Sequence, residues 1–432
     1  MGRQRHALDS TRGPETTSSS QGSAHDRLLD AATHLAARDG YASLTVEKIL
    51  AAAAVSRATF YQYFCNVDDC FWSAYRQHAE QLVAVVVAAA GSLHRELEVL
   101  DTLVATAISR PQAARLLMRE GLAAGATGRS ERDALISRIE CAMTGSVAHQ
   151  STIDLPPAIL IGATFGFLSM RLSDGGALDG VREQVREWAG AFARRSSQPA
   201  WSTKLAPALA RQASRSPARP SLGRPGDAPR QRILRATAAA IHAKGYRDAT
   251  VADIVAAAGV SRRSFYNQFP SKADAFIATY EHAFQQGLAA CAPAFFISAP
   301  WPDRIWHGAQ AFTGFLTREP LLSYLGLVEC YAIGPSFALR VQDTQLAFTL
   351  FLEEGYQRAQ AQSLSRASLT LTATAIFELA FQGTRRGPSL SLRRLQPLAV
   401  YIALAPFIGL DKAGEFVMGK LSARHSDAPA AT

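Results

Sequence analysis

The sequence predicts an all-α protein made of two tandem units, each a three-helix head followed by a helical body. Three observations carry that prediction. One segment of the chain occurs twice, apolar residues recur at helical spacing through most of both copies, and the alternation expected of strands is scarce. At 432 residues the chain is long for a single core, and with 48% hydrophobic and 19% charged residues most of it is expected to fold.

The repeat runs GYASLTVEKILAAAAVSRATFYQYFCNVDDCF from Gly40 to Phe71, and GYRDATVADIVAAAGVSRRSFYNQFPSKADAF from Gly245 to Phe276. The offset is a constant 205 residues without a gap, and about half the positions are identical. Further on, LLMREGLAAG (Leu116 to Gly125) is echoed by LGLVECYAIG (Leu325 to Gly334) at an offset of 209. The order of the repeat persists, so whole units are duplicated. The expected organisation is an N-terminal disordered arm 1–24, a first head 25–70 and body 71–195, a flexible linker 196–229, a second head 230–276 and body 277–421, and a disordered tail 422–432.

Within the first head, Leu28, Ala32, Leu35 and Ala36 share one helical face, and Asp39-Gly40 ends that helix. Thr45 caps a second helix whose stripe is Val46, Ile49, Leu50 and Ala53, repeated as Val251, Ile254, Val255 and Ala258. A three-residue break follows, Ala54-Val55-Ser56 or Gly259-Val260-Ser261, with Ser capping a short third helix. Phe60 and Phe64, or Phe265 and Phe269, are four apart and face inward. The opposite face is left with Arg57, Ala58, Thr59, Tyr61 and Gln62 in one copy, and Arg262, Arg263, Ser264, Tyr266 and Asn267 in the other.

Guanidinium and amide groups on such a face suit base edges, while hydroxyl groups suit phosphates. The same face also fits an ordinary solvated helix surface in a bundle. Lys plus Arg outnumber Asp plus Glu by 45 to 36, a formal +9, which favours a polyanionic partner and suits a soluble protein equally.

These two segments resemble the DNA-binding domain of the TetR-type bacterial regulators, whose pattern reads GY…TV..IA..AGVSR.TFY.YF.SK..L. The resemblance covers about 26–79 and 231–284. It implies double-stranded DNA as the partner, with the third helix in the major groove and Thr59 or Ser264, Tyr61 or Tyr266, and Lys272 in contact with DNA. The first copy departs from the pattern at Ala54, Cys65 and Val67, where the second has Gly259, Pro270 and Lys272. A folded first head with weaker binding is expected.

By the same resemblance each body holds a ligand cavity and ends in two helices that pair with another subunit; here the candidates are 156–172 with 180–194, and 369–382 with 392–421. The chain then supplies both heads as an intramolecular pseudo-dimer, or pairs with a second copy as a homodimer. The second body is rich in aromatic residues, and Trp306, Phe312, Tyr331, Phe351 and Phe377 are the candidates to line a cavity for an apolar or aromatic effector. Aromatic residues at this spacing serve equally as core. Gly162, Ala163 and Gly166 suit close helix packing.

Other classes find no support. The sequence has no phosphate loop, HExxH or GxSxG, so no catalytic residue, cofactor or metal site is assigned, and His242 reads as packing or surface. The five cysteines, Cys65, Cys70, Cys141, Cys291 and Cys330, are scattered with no His at zinc-site spacing. The N-terminus lacks a secretory apolar stretch, and the apolar runs are shorter than the roughly 20 residues needed to cross a bilayer. A cytoplasmic regulator, most simply a repressor, is the expectation; the alternative is a helical scaffold in which one or both heads no longer read DNA.

Overall fold

The computed structural model describes residues 23–90, 95–145, 151–173, 178–195, 198–205, 228–359, 364–385 and 392–426. The arm 1–22, most of the linker (206–227) and the last residues of the tail (427–432) lie outside the described residues. Among the described residues the chain is helical throughout, with a single isolated antiparallel bridge between Ile153 and Ala193 and no strand.

The first head is α1 (Ala24–Asp39), α2 (Val46–Ala53) and α3 (Arg57–Tyr63). Its body is α4 (Val67–Ala89), α5 (Arg95–Ser109), α6 (Pro111–Arg115), α7 (Gly121–Ala123), α8 (Gly125–Thr144), α9 (Pro157–Ser173) and α10 (Val181–Gly190). A short α11 (Trp201–Leu205) follows. The second head is α12 (Pro229–Asp248), α13 (Val251–Ala258) and α14 (Arg262–Gln268). Its body is α15 (Lys272–Phe295), α16 (Trp301–Arg318), α17 (Pro320–Tyr324), α18 (Pro335–Ala347), α19 (Glu353–Ala359), α20 (Ala367–Arg385), α21 (Gln396–Ile408) and α22 (Leu410–Ser426). No described helix is long and apolar enough to cross a membrane.

The faint sequence echo turns out to be one structural device used twice. Leu116–Glu120 and Leu325–Glu329 are both π-helical turns, each ending in a glutamate that is 1% exposed. Wide turns of this kind bring side chains to positions that a regular helix cannot reach.

The two bodies share one core. Leu28, Phe71, Leu103 and Phe165 of the first unit belong to the same buried cluster as Trp301, Leu371, Tyr401 and Phe407 of the second. Helix α20 packs against α9, α10 and α21. Small residues permit the α9–α20 approach: a Cβ added at Gly162 would lie 2.4 Å from the Glu378 side chain, and one at Gly166 would lie 3.4 Å from Thr374. Thr374 Oγ1 donates to the Ala163 carbonyl at 3.3 Å, and Trp188 Nε1 donates to Thr372 Oγ1 at 3.0 Å.

Three boundaries differ from the sequence reading. Residues 201–205 fall in the expected linker but are folded, with Trp201, Ser202 and Leu205 buried. Asp154 accepts from the Trp201 and Ser202 backbone at 2.8 and 3.0 Å, and the Trp201 ring packs where a Cβ on Gly414 would come within 2.1 Å. No local periodicity announces a five-residue helix whose partners lie 47 to 213 residues away in the chain. The segment 392–421 is two main helices, because Gly409 at φ 88° separates α21 from α22. Helix α22 continues to Ser426, into the expected tail.

Candidate nucleic-acid interface and adjoining cavities

The two heads are built by the same local chemistry. Ser56 Oγ accepts from Thr59 N at 3.1 Å and Ser261 Oγ from Ser264 N at 3.0 Å, so each third helix starts where the sequence places it. Thr250 and Asp253 form a reciprocal capping box on α13, while Thr45 alone caps α2. The turn between the second and third helices needs a left-handed residue. Gly259 takes φ 60°, and Ala54 takes φ 52° as the one non-glycine residue with positive φ among the described residues. An arginine from the first helix of each head holds that corner, Arg27 Nε donating to the Ala53 carbonyl at 3.2 Å and Arg232 Nε to that of Ala258 at 2.9 Å. Sequence reasoning missed this pair, although both arginines keep the 205-residue offset.

Phe60 and Phe265 are fully buried and Phe64 and Phe269 are 3% exposed, which turns the other face of each third helix outward. On it Arg57, Ala58, Tyr61 and Gln62 are exposed and Thr59 is half-buried; Arg262, Arg263, Tyr266 and Asn267 are exposed and Ser264 is half-buried. Tyr61 and Tyr266 are 52% and 54% exposed, each edge-on to the phenylalanine before it. The two faces differ in charge available to a ligand. Arg57 is paired with Glu47 at 2.5 Å, whereas Arg262 and Arg263 make no ion pair or hydrogen bond among the described residues.

Lys272 is placed differently from the other candidates. Its ammonium donates to the carbonyls of Tyr246, Arg247 and Ala249 at 2.7, 3.2 and 2.8 Å, and it lies 4.5 Å from the Tyr246 ring centroid. All three donors are thus spent on the end of α12, and burial lowers the amine below its ordinary pKa. In the first head Val67 replaces it, and the cation over the equivalent Tyr41 ring is Arg247 of the second unit, 4.8 Å from the centroid and hydrogen-bonded to Tyr41 Oη. Asp68 also accepts from Tyr41 Oη, at 2.9 Å. Burial first, then Asp68, pushes that phenol up to about 12.

Each head is tied to its body through the π turn. Glu120 Oε2 accepts from Tyr41 N at 2.9 Å and Glu329 Oε2 from Tyr246 N at 3.2 Å, so a buried carboxylate holds the backbone just after a positive-φ glycine, Gly40 or Gly245, in both copies. The counter-charges differ. Glu120 pairs with its neighbour Arg119 at 2.6 Å, but Glu329 pairs with Arg129 of the first unit at 2.8 Å. Three residues further along α8, Arg132 makes a buried bidentate pair with Glu378 on α20. Two arginines of unit one therefore neutralise two carboxylates of unit two inside the protein. His242 lies edge-on to Tyr324 at 4.6 Å, a packing role.

The aromatic candidates separate. Phe312, Phe351 and Phe377 line one apolar cavity with Phe295, Ile305 and Phe348. Tyr331 lines a second cavity, to which both units contribute walls. Trp306 is 3% exposed, accepts from Gln396 through its carbonyl and packs edge-on to Phe416, so it is core. Among the described residues no group of His, Cys, Asp and Glu is arranged to hold a metal.

An all-helical chain with two helix-turn-helix heads at a fixed repeat is a tandem helix-turn-helix protein. The family described as "Bacterial regulatory proteins, tetR family" matches it at residues 28–72 and again at 233–279. Among solved structures, the fatty acid degradation regulator FadR from Bacillus halodurans is 16% identical, with 42% of this chain and 97% of that one covered and a TM-score of 0.36. A regulatory protein of the tetR family from Rhodococcus RHA1 is 23% identical, covering 41% of this chain and 97% of that one, with a TM-score of 0.35. A TetR-like transcriptional regulator from Rhodococcus sp. RHA1 is 16% identical over 46% of this chain and 99% of that one, with a TM-score of 0.31. A search of the curated proteins finds no match. The family's DNA-binding domain is thus present once in each half of the chain, a tandem duplication that supports a TetR-type transcriptional regulator.

Proposed function

We propose that the protein is a ligand-responsive repressor, acting in the cytoplasm by binding and not by catalysis, whose two unequal heads read one operator with unequal half-sites. The observation that carries this reading is the pair of outward third-helix faces, alike in Tyr61 and Tyr266 but different in their free charge. In the second head Arg262, Arg263 and Asn267 read base edges while Ser264 and Tyr266 hold phosphate. In the first, Arg57, Ala58 and Gln62 face the bases and Thr59 and Tyr61 the phosphate, so the second head dominates affinity. Lys272 fixes the end of α12 from below and contributes to DNA binding through position.

Support for an intramolecular pseudo-dimer comes from the packing of α9 on α20 and from the ion pairs Arg129–Glu329 and Arg132–Glu378, both between units of one chain. An apolar effector occupies the cavity lined by Phe312, Phe351 and Phe377, whose walls are almost wholly apolar.

Selection of binding sites from random duplexes, run on the full chain, tests the reading. Two different half-sites are expected. Arg262→Ala should weaken binding by about 1–3 kcal/mol and relax preference in one half-site only. A perfectly palindromic preferred site refutes unequal heads, and no duplex binding at all leaves a helical scaffold. The pseudo-dimer requires a molar mass in solution near 46.4 kDa; twice that value means a homodimer with four heads.

A further inference from the structure

Three spaces in the second body meet at one side chain. Phe377 lines the apolar cavity, the inter-unit cavity, and a third space that shares Phe312 and Phe348 with the first and Tyr280 and Leu327 with the second. Sharing these walls, the three spaces adjoin one another and present two chemically distinct ends. The apolar end is built wholly by the second unit. The other end is built by both: Met118, Phe165 and Ser169 enter from the first unit with Arg132, against Tyr331 and Glu378 of the second.

That second end has hydrogen-bond donors to spare. Arg132 is 4% exposed, its two terminal nitrogens are taken by Glu378, and its Nε–H is buried without a partner. A buried donor left unpaired is costly and calls for an acceptor. Tyr331 accepts from Gln345 at 3.3 Å, which leaves its own hydroxyl hydrogen to offer, and burial holds the phenol protonated. The arrangement is also not duplicated. At the offset of 209 that aligns Glu120 with Glu329, Val341 stands where Arg132 does and Val328 where Arg119 does.

We propose that the chain binds one effector for its two heads, in a composite site whose apolar end belongs to the second unit and whose polar end is completed by Arg132 of the first. The ligand class is a mainly apolar molecule with a hydrogen-bond acceptor, such as a carbonyl or an acid group, at one end. Phe377 and Glu378 are consecutive on α20, so the ligand touches both the aromatic wall and the ion pair that joins the units. The proposal rests on the reading of the bodies as effector-responsive and adds to it the ligand's polarity and its number.

Two fluorescent probes of one shape separate the ends: N-phenyl-1-naphthylamine, which has no acidic acceptor, and 1-anilinonaphthalene-8-sulfonate, which has one. The full chain, without DNA, should bind each at one per chain. Arg132→Met with Glu378→Gln, which removes both charges together, should weaken the sulfonate probe tenfold or more and leave the uncharged probe within about twofold. Retained binding of the uncharged probe also shows that this variant folds. Tyr331→Phe, a smaller change, should weaken the sulfonate probe by about threefold to tenfold. Saturation at two per chain, no saturable binding of either probe, or sulfonate binding unchanged in both variants overturns the proposal. Because DNA is absent from these titrations, a chain that binds the probes as stated and yet ignores every duplex supports the site and refutes the repressor reading alone.

Discussion

Removing the charge of Glu329 tests whether the two units are coupled through the second head. The carboxylate is 1% exposed and both oxygens are used, Oε1 by Arg129 at 2.8 Å and Oε2 by the backbone N–H of Tyr246 at 3.2 Å. Glu329→Gln keeps the shape but offers only one acceptor oxygen, so an amide N–H must face either the guanidinium or the Tyr246 N–H. Arg129, whose side chain is 9% exposed, keeps Tyr324 Oη at 3.1 Å and loses its counter-charge. A buried charge stripped of its partner costs about 3–5 kcal/mol, far more than the pair contributes over an apolar replacement. Arg129→Met should cost a similar amount by stranding the carboxylate. Combining Glu329→Gln with Arg129→Met removes both charges and should leave the chain more stable than either single variant, a coupling of at least about 2 kcal/mol. Urea unfolding of the full chain followed by far-ultraviolet circular dichroism measures all four corners of the cycle. Costs that simply add would refute the coupling of the two units through this pair.

Ala54→Gly should stabilise the first head by about 1 kcal/mol by relieving a left-handed alanine, whereas Gly259→Ala should destabilise the second, where the added Cβ also meets Arg232 at 3.0 Å; thermal midpoints in the opposite order would contradict the strain argument. The hydrogen bonds from Lys244 and Thr250 hold the half-buried Asp253 carboxyl down at about 2, below its ordinary 3.8. Since the folded value is the lower one, the capping box adds stability above 3.8 that is lost as the pH falls through about 2. Carboxyl-carbon NMR of Asp253 reads the midpoint, and a value at or above 3.8 would show the box to be absent. Of the five cysteines, Cys65 and Cys141 are exposed, while Cys70, Cys291 and Cys330 are buried, with the Cys70 and Cys291 thiols pushed up to about 12. Ellman's reagent at pH 8 should therefore label two thiols quickly and the rest only on unfolding; a third fast thiol would mean that the core opens readily.

What the amino-acid order determined by itself is the pair of heads, because everything that makes them is settled within a few residues. Ser56 and Ser261 cap the helix that begins at the next residue, Phe60 and Phe64 set its inner face at a spacing of four, and the position of Ala54 or Gly259 demands a left-handed turn whichever residue fills it. The outward side chains then follow by elimination, which is why the exposed residues of α3 and α14 were legible. Position along the chain says nothing of which distant group a side chain will meet. Lys272 has the type and place of a phosphate ligand, yet folding spends its three donors on carbonyls 23 to 26 residues earlier. Trp201 lies in a stretch as polar and proline-rich as a linker, and only the face of α22 at Gly414 gives it a seat. Arg129 and Arg132 look like solvated residues of an ordinary helix until α8 is packed against the other unit, where low polarity makes an unpaired charge so costly that Glu329 and Glu378 must meet them. The joining of two similar units into one unequal body was therefore decided by tertiary contacts about 200 to 250 residues apart in the chain, where no local pattern records the partner.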